Sequence, residues 1–410
     1  MNVPKSIPDI PSTPIFKYYL YSIFAWGGFH MPVDILLLRD RGLSFGEIGI
    51  VVAAGTGAML VAQIPSGYLA DRIGRRRTLM LSAGLMTLGA LLFGIVGTFA
   101  AFIAAQATFT LGIAFKAGVS DAWLYDTLAD QGREDEFAHV SGRARFALLV
   151  VLGLTSIAGG YLGTIDYGIA YLATALFTAC GLLIAFSLPE PGKAKEEDTL
   201  RVSDAIALIR KDFLRPSIRQ VVLSLGLFFG AITALNAIYI QPASVAVGVP
   251  EAHLGWFFAL LTGVGAIASY YAGAIEKRVS TEQWLFFVTG GLGVVFVTAL
   301  IVPVFILAGF VLARAVHRIT QSIAGQYIND RVGTAGRATV LSTVAMVYSV
   351  FSIPIRIGAG QMGNTIPPET AGALVGGLVL LPTLYIGSWI LKRRWSSQSE
   401  KPTEFVPEGE

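Results

Sequence analysis

Gly67-Tyr68-Leu69-Ala70-Asp71-Arg72-Ile73-Gly74-Arg75-Arg76-Arg77 is a short charged island between two long apolar stretches, residues 46–70 and 78–98. Each stretch is long enough to cross a bilayer as a helix. A loop carrying Arg72, Arg75, Arg76 and Arg77 resists translocation, so the island predicts a cytoplasmic hairpin between two membrane spans.

The rest of the chain agrees with a membrane setting. It has 410 residues, 54% of them hydrophobic and 14% charged, where soluble domains carry roughly 25% charge. A net charge of +3 says little about partners, because the charges are segregated by loop. Cys180 is the single cysteine, which excludes an internal disulfide. Residues 1–14 are polar and proline-rich and show no cleavable signal, so the first span is read as an uncleaved one.

Twelve apolar segments follow: spans 1–6 at 15–38, 46–70, 78–98, 99–127, 141–163 and 167–189, and spans 7–12 at 217–240, 252–275, 282–303, 304–328, 339–362 and 369–391. Segments of this length mean helices, since a barrel would show short alternating strands. Of the 30 Lys and Arg, 24 fall on one set of loops and tails or on the span ends beside them, and only Arg39 and Arg41 on the other. That asymmetry predicts a multi-pass protein of the cytoplasmic membrane with both termini inside.

The island also fits the pattern G-x-x-x-D-R-x-G-R-[RK] at Gly67, Asp71, Arg72, Gly74, Arg75 and Arg76. It resembles the loop 2–3 motif of the major facilitator superfamily (MFS). The resemblance covers essentially the whole chain. It implies an all-α polytopic protein of two pseudo-symmetric six-helix bundles around a central cavity, working by alternating access. The expected divisions are a first bundle at 1–189, a central cytoplasmic loop at 190–216, a second bundle at 217–392 and a tail at 393–410. The sequence carries traces of the repeat. Tyr125-Asp126 and Gly142-Arg143-Ala144 are echoed by Asn329-Asp330 and Gly336-Arg337-Ala338, and Asp71 by Glu276, with Lys277 and Arg278 as a degenerate island. In this family the island latches the halves on the cytoplasmic side. Asp126, Arg143, Asp330 and Arg337 are expected to complete that gate, against a plainer role as interfacial anchors. Residues 199–213 have the spacing of a short amphipathic helix or belong to a solvated linker.

Charge inside a span costs roughly 2.5–3.5 kcal/mol at a helix centre, so each instance asks for a reason. The set here is Asp34 in span 1, Lys116 and Asp121 in span 4, Arg314, His317 and Arg318 in span 10, and Arg356 in span 11. The resemblance implies that spans 1, 4, 7 and 10 line the cavity. Arg314, Arg318 and Gln321 recur at i, i+4 and i+7 and share a helical face, with His317 beside them. Two roles are open for the arginines: binding a substrate carboxylate or phosphate, or pairing with carboxylates of the other half. Asp121 and Asp34 are candidate proton-coupling residues, with salt bridging and plain exposure as their other readings. Asn236, Tyr239 and Gln241 in span 7 are polar enough to touch a solute, and Asn236 equally suits a hydrogen bond to a neighbouring helix. Pro354 is expected to bend span 11 next to Arg356. Span 5 has the glycines of the family's exporter motif at Gly153, Gly159, Gly160 and Gly163 but lacks its proline.

Gly358-Ala-Gly360-Gln-Met-Gly363 matches G-x-G-x-x-G, but it lies in an apolar helix with no preceding strand, so it reads as close-packing glycine and not a dinucleotide site. The sequence offers no phosphate-binding loop, no metal cluster, no cofactor, no nucleophile constellation and no nucleic-acid feature. The reading is a monomeric secondary transporter, not an enzyme. Its expected partners are a small-molecule substrate, by charge an anion or zwitterion, a proton and the lipid bilayer. The alternatives are a broad-specificity exporter of amphipathic drugs and a non-transporting membrane sensor.

Overall fold

Most of the spans begin and end on recognisable local chemistry. Span 2 opens on a capping box in which Ser44 and Glu47 satisfy each other's backbone N–H groups, at 3.2 and 2.8 Å. Thr98 and Asp166 cap spans 4 and 6, and Ser280 with Gln283 opens span 9. Gly74 and Gly118 take φ of +95° and +79°, conformations that side chains with a Cβ rarely adopt, and the helix stops at each.

A computed structural model describes residues 13–192, 216–329 and 337–388. Its helices follow the predicted spans in order. Span 1 is two helices, Thr13–Phe24 and Asp34–Asp40, joined by irregular backbone. Spans 2 and 3 are Phe45–Ile73 and Arg75–Ile95. Span 4 is Phe99–Lys116 and Val119–Ala129, span 5 Phe137–Gly163 and span 6 Tyr167–Ser187. Span 7 is Pro216–Ile238 continued by Ile240–Ala246, span 8 Glu251–Glu276, and span 9 runs through a π-helical turn at Trp284–Val288 into Thr289–Ala299. Spans 10, 11 and 12 are Phe305–Asn329, Arg337–Gly363 and Pro368–Gly377, the last continuing to Ser388. Nine helices among the described residues are long and apolar enough to cross a membrane. Many large apolar side chains are exposed, among them Phe146, Leu176, Ile267, Phe287 and Leu384, as a lipid-facing surface requires.

Span 3 packs against spans 4 and 6 within the first half, and span 10 against span 8 within the second. Span 2 meets span 11, and span 5 meets span 8, across the two halves. Pro354 sits inside a helix assigned without interruption. Residues 199–213 and Asp330 lie outside the described residues, as does the side chain of Arg337.

Candidate functional site

The island turns at Gly74, where an added Cβ would stand 2.7 Å from a Glu190 carboxylate oxygen. Arg75 pairs through its Nε with Asp126 at the end of span 4. The backbone N–H of Arg76 donates to Glu190 at 3.2 Å, and its guanidinium donates to the Phe186 carbonyl. These partners all belong to the first half. Arg75 and Arg76 thus clasp the span 2–3 loop to spans 4 and 6. Asp71, Arg72, Arg77 and Arg143 lie at this same end.

Contacts that join the halves cluster at the opposite end. Gly49 of span 2 lies against Gly360 of span 11, close enough that a Cβ would come within 3.0 Å of the Gly360 Cα. Gly255 of span 8 meets Ser156 and Ile157 of span 5, and Gly160 meets Gly255 in return. Gly363 packs on Phe45 and Tyr239, so two of the three G-x-G-x-x-G glycines are close-packing, as their sequence context implied, while Gly358 faces open space. Polar ties add direction. The amide of buried Gln241 accepts from the Ile35 N–H and donates to the Met31 carbonyl, each at 2.6 Å, stitching the break in span 7 to the break in span 1. Tyr167 donates to Glu251 at 2.7 Å, and Trp256 to Tyr161 at 3.2 Å. Arg356 donates to the Val52 carbonyl at 3.2 Å and to Thr56 Oγ1 at 2.5 Å. Read from sequence as a substrate contact, Arg356 is engaged here with span 2.

In the first half, Asp34 is half-buried and accepts a hydrogen bond from Tyr171 of span 6 at 2.8 Å. The buried His30 ring lies 5.3 Å from the Tyr171 ring, and its Nδ1 is 3.2 Å from Thr174 Oγ1. Lys116 extends its ammonium over two rings of span 1, Tyr21 at 5.7 Å and Trp26 at 5.9 Å. Among the described residues no carboxylate forms an ion pair with it. Asp121 lies beyond the helix break at Ala117 and Gly118 and pairs with Arg145 at 2.8 Å; the two side chains are 44% and 69% exposed, so this is a solvated surface pair.

In the second half, the stems of Arg314 and Arg318 lie along Gly265 of span 8. A Cβ there would meet Arg314 at 3.4 Å and Arg318 at 3.8 Å, so glycine makes the room. The Arg318 guanidinium is 3.5 Å from the Gln321 carbonyl oxygen, a pair open to solvent. His317 stands edge-on to Phe229 of span 7 at 5.0 Å. Asn236 is half-buried further along span 7. The Nε of Arg314 and the Nδ1 of His317 are buried and have no hydrogen-bond partner among the described residues, and neither arginine forms an ion pair there. With Asp121 outside, four cations (Lys116, Arg314, Arg318 and Arg356) stand in the spans against Asp34.

The family model of the Major Facilitator Superfamily matches residues 18–355. The chain belongs to that superfamily. The superfamily is one of transporters, as the island's resemblance implied. Among its relatives is the uncharacterized MFS-type transporter YxaM of Bacillus subtilis, 24% identical over 63% of this chain; the chain spans 65% of that relative's length. The quinolone resistance protein NorA of Staphylococcus aureus strain MRSA252 is 20% identical, over 88% of this chain and 89% of NorA. A crystal structure of the nucleoside transporter NupG superposes with a TM-score of 0.76 at 13% identity, over 92% of this chain and 97% of that one, and so shares the superfamily fold.

Sequence reading missed the closure at the end remote from the island. Gln241, Tyr167, Glu251 and the Gly49–Gly360 and Gly160–Gly255 crossings carry it. Gln241, read from sequence as polar enough to touch a solute, is tied here to span 1.

Proposed function

We propose that this superfamily member carries an organic anion or zwitterion across the cytoplasmic membrane, coupled to protons. The observation that carries the reading is the pair of span 10 arginines. Two guanidinium groups one turn apart repel each other, and no described carboxylate neutralises them. An anionic solute supplies that charge bidentately. Asp34 is the coupling residue we favour, because it is held by a neutral phenol rather than by a cation and its charge is free to change. Asp121, in a solvated pair with Arg145, is the weaker candidate. With the arginine island on the cytoplasmic side, the closure at the remote end makes this the inward-open state, and Arg356 with Gln241 belongs to the outer gate.

A second reading, export of amphipathic drugs, is favoured by the likeness to NorA. Thermal stabilisation of the purified protein separates the two, since a ligand that binds only the folded state raises its melting temperature. Carboxylates or phosphates should stabilise the wild type and not Arg314→Ala. Lipophilic cations stabilising both proteins alike would replace the anion reading with the drug reading.

A further inference from the structure

We infer that the solute is a planar aromatic anion, its ring seated on aromatic side chains and its carboxylate held by the cations beside them. The inference rests on the anion reading above and narrows it. Each half supplies the same combination from corresponding spans. In the first half, span 1 brings the Trp26 ring and span 4 brings Lys116, whose ammonium already lies over that ring with no carboxylate in ion-pair reach among the described residues. In the second half, span 7 brings the Phe229 ring and span 10 brings Arg314, with His317 5.0 Å from Phe229. Span 11 adds Tyr348, whose ring lies 4.9 Å from Phe229.

Donors predominate among the unpartnered polar atoms of these groups. The indole N–H of Trp26, the Nε–H of Arg314 and the hydroxyl of Tyr348 are buried and have no partner among the described residues, and neither does His317 Nδ1. A buried donor without an acceptor is costly, and these three lie on spans 1, 10 and 11. A ligand seated against either set must therefore bring acceptors, negative charge and a flat apolar face together. An aliphatic anion supplies the charge but adds no ring to the aromatic cluster of Phe228, Phe229, His317 and Tyr348. A lipophilic cation supplies the ring but would be repelled by Lys116 and Arg314. A benzoate-like molecule satisfies both. Its ring packs offset or edge-on against Trp26 or joins the cluster that Tyr348 forms with the buried Phe229, and its carboxylate accepts from Arg314 or the Tyr348 hydroxyl.

The test is calorimetric titration of the purified full chain in detergent with benzoate, cyclohexanecarboxylate and tetraphenylphosphonium, each corrected for protein-free micelles. Benzoate and cyclohexanecarboxylate share charge and size and differ in the π face. Benzoate should bind the wild type roughly tenfold more tightly, the upper end of what an aromatic pair adds. In Phe229→Leu the preference should collapse while cyclohexanecarboxylate affinity stays within about twofold. Tyr348→Phe, a gentler change, should weaken benzoate by roughly fivefold, the loss of one hydrogen bond. Equal affinity for the two acids in the wild type, or an unchanged preference in Phe229→Leu, overturns the aromatic assignment and leaves the anion reading standing. Binding of tetraphenylphosphonium with neither acid overturns both.

Discussion

Replacing Gly255 by alanine adds one methyl group where spans 5 and 8 cross. The added Cβ would stand 2.3 Å from the Ser156 carbonyl oxygen and 2.8 Å from the Ile157 Cα. Both are backbone atoms, so no rotamer change relieves the clash and the helices must separate. Overpacking of this kind costs about 1–3 kcal/mol. The cost applies only while the remote end is closed; the gain in helix propensity from glycine to alanine is common to both states and cancels. The equilibrium should therefore shift toward an open remote end by roughly 5- to 150-fold. Spin labels at Ile165→Cys and Ala246→Cys, both exposed positions flanking this end, report the separation by pulsed dipolar spectroscopy in a Cys180→Ser background. A longer distance should gain population in Gly255→Ala. An unchanged distribution in a folded, monodisperse variant would refute the idea that these crossings hold the closure.

Gln241→Leu removes two ties between spans 1 and 7 and leaves the Ile35 N–H and Met31 carbonyl without their partner. It should move the same label pair in the same direction, with a cost of about 1–3 kcal/mol for each orphaned group that water does not reach. Arg75→Ala strands the Asp126 carboxylate, which is 7% exposed against 26% for Arg75. Discounting a fully buried pair for that exposure leaves a loss of about 2–3 kcal/mol, and chemical denaturation showing under about 0.5 kcal/mol would count against the clasp. Asp34→Asn should abolish proton-linked transport at neutral pH while Asp121→Asn retains it; the reverse pattern would move the coupling site to span 4.

The island and the run of apolar segments made the family and the helical order legible, because bilayer thickness fixes span length and charge fixes which loops stay outside the membrane. The span boundaries followed within a few residues, as for span 5, expected at 141–163 and found at Phe137–Gly163. What the sequence concealed was partnership. Lys116 and Asp121 are five residues apart, yet the break at Gly118 separates them, and Asp121 finds Arg145 instead. Nothing local reveals that span 2 offers Arg356 a carbonyl and a hydroxyl about 300 residues away. The closing glycines were equally silent, since a glycine that permits a helix crossing looks in sequence like one that faces open space.

The central claim is coupling of an organic anion to protons through Asp34 and Arg314. The most direct measurement uses proteoliposomes holding a pH-sensitive dye, voltage-clamped with potassium and valinomycin, and challenged with benzenesulfonate, which is permanently charged and does not cross lipid by itself. The account predicts a change of internal pH in the wild type that is lost in both Asp34→Asn and Arg314→Ala. Anion movement without any pH change, or a pH change that survives both substitutions, would contradict it.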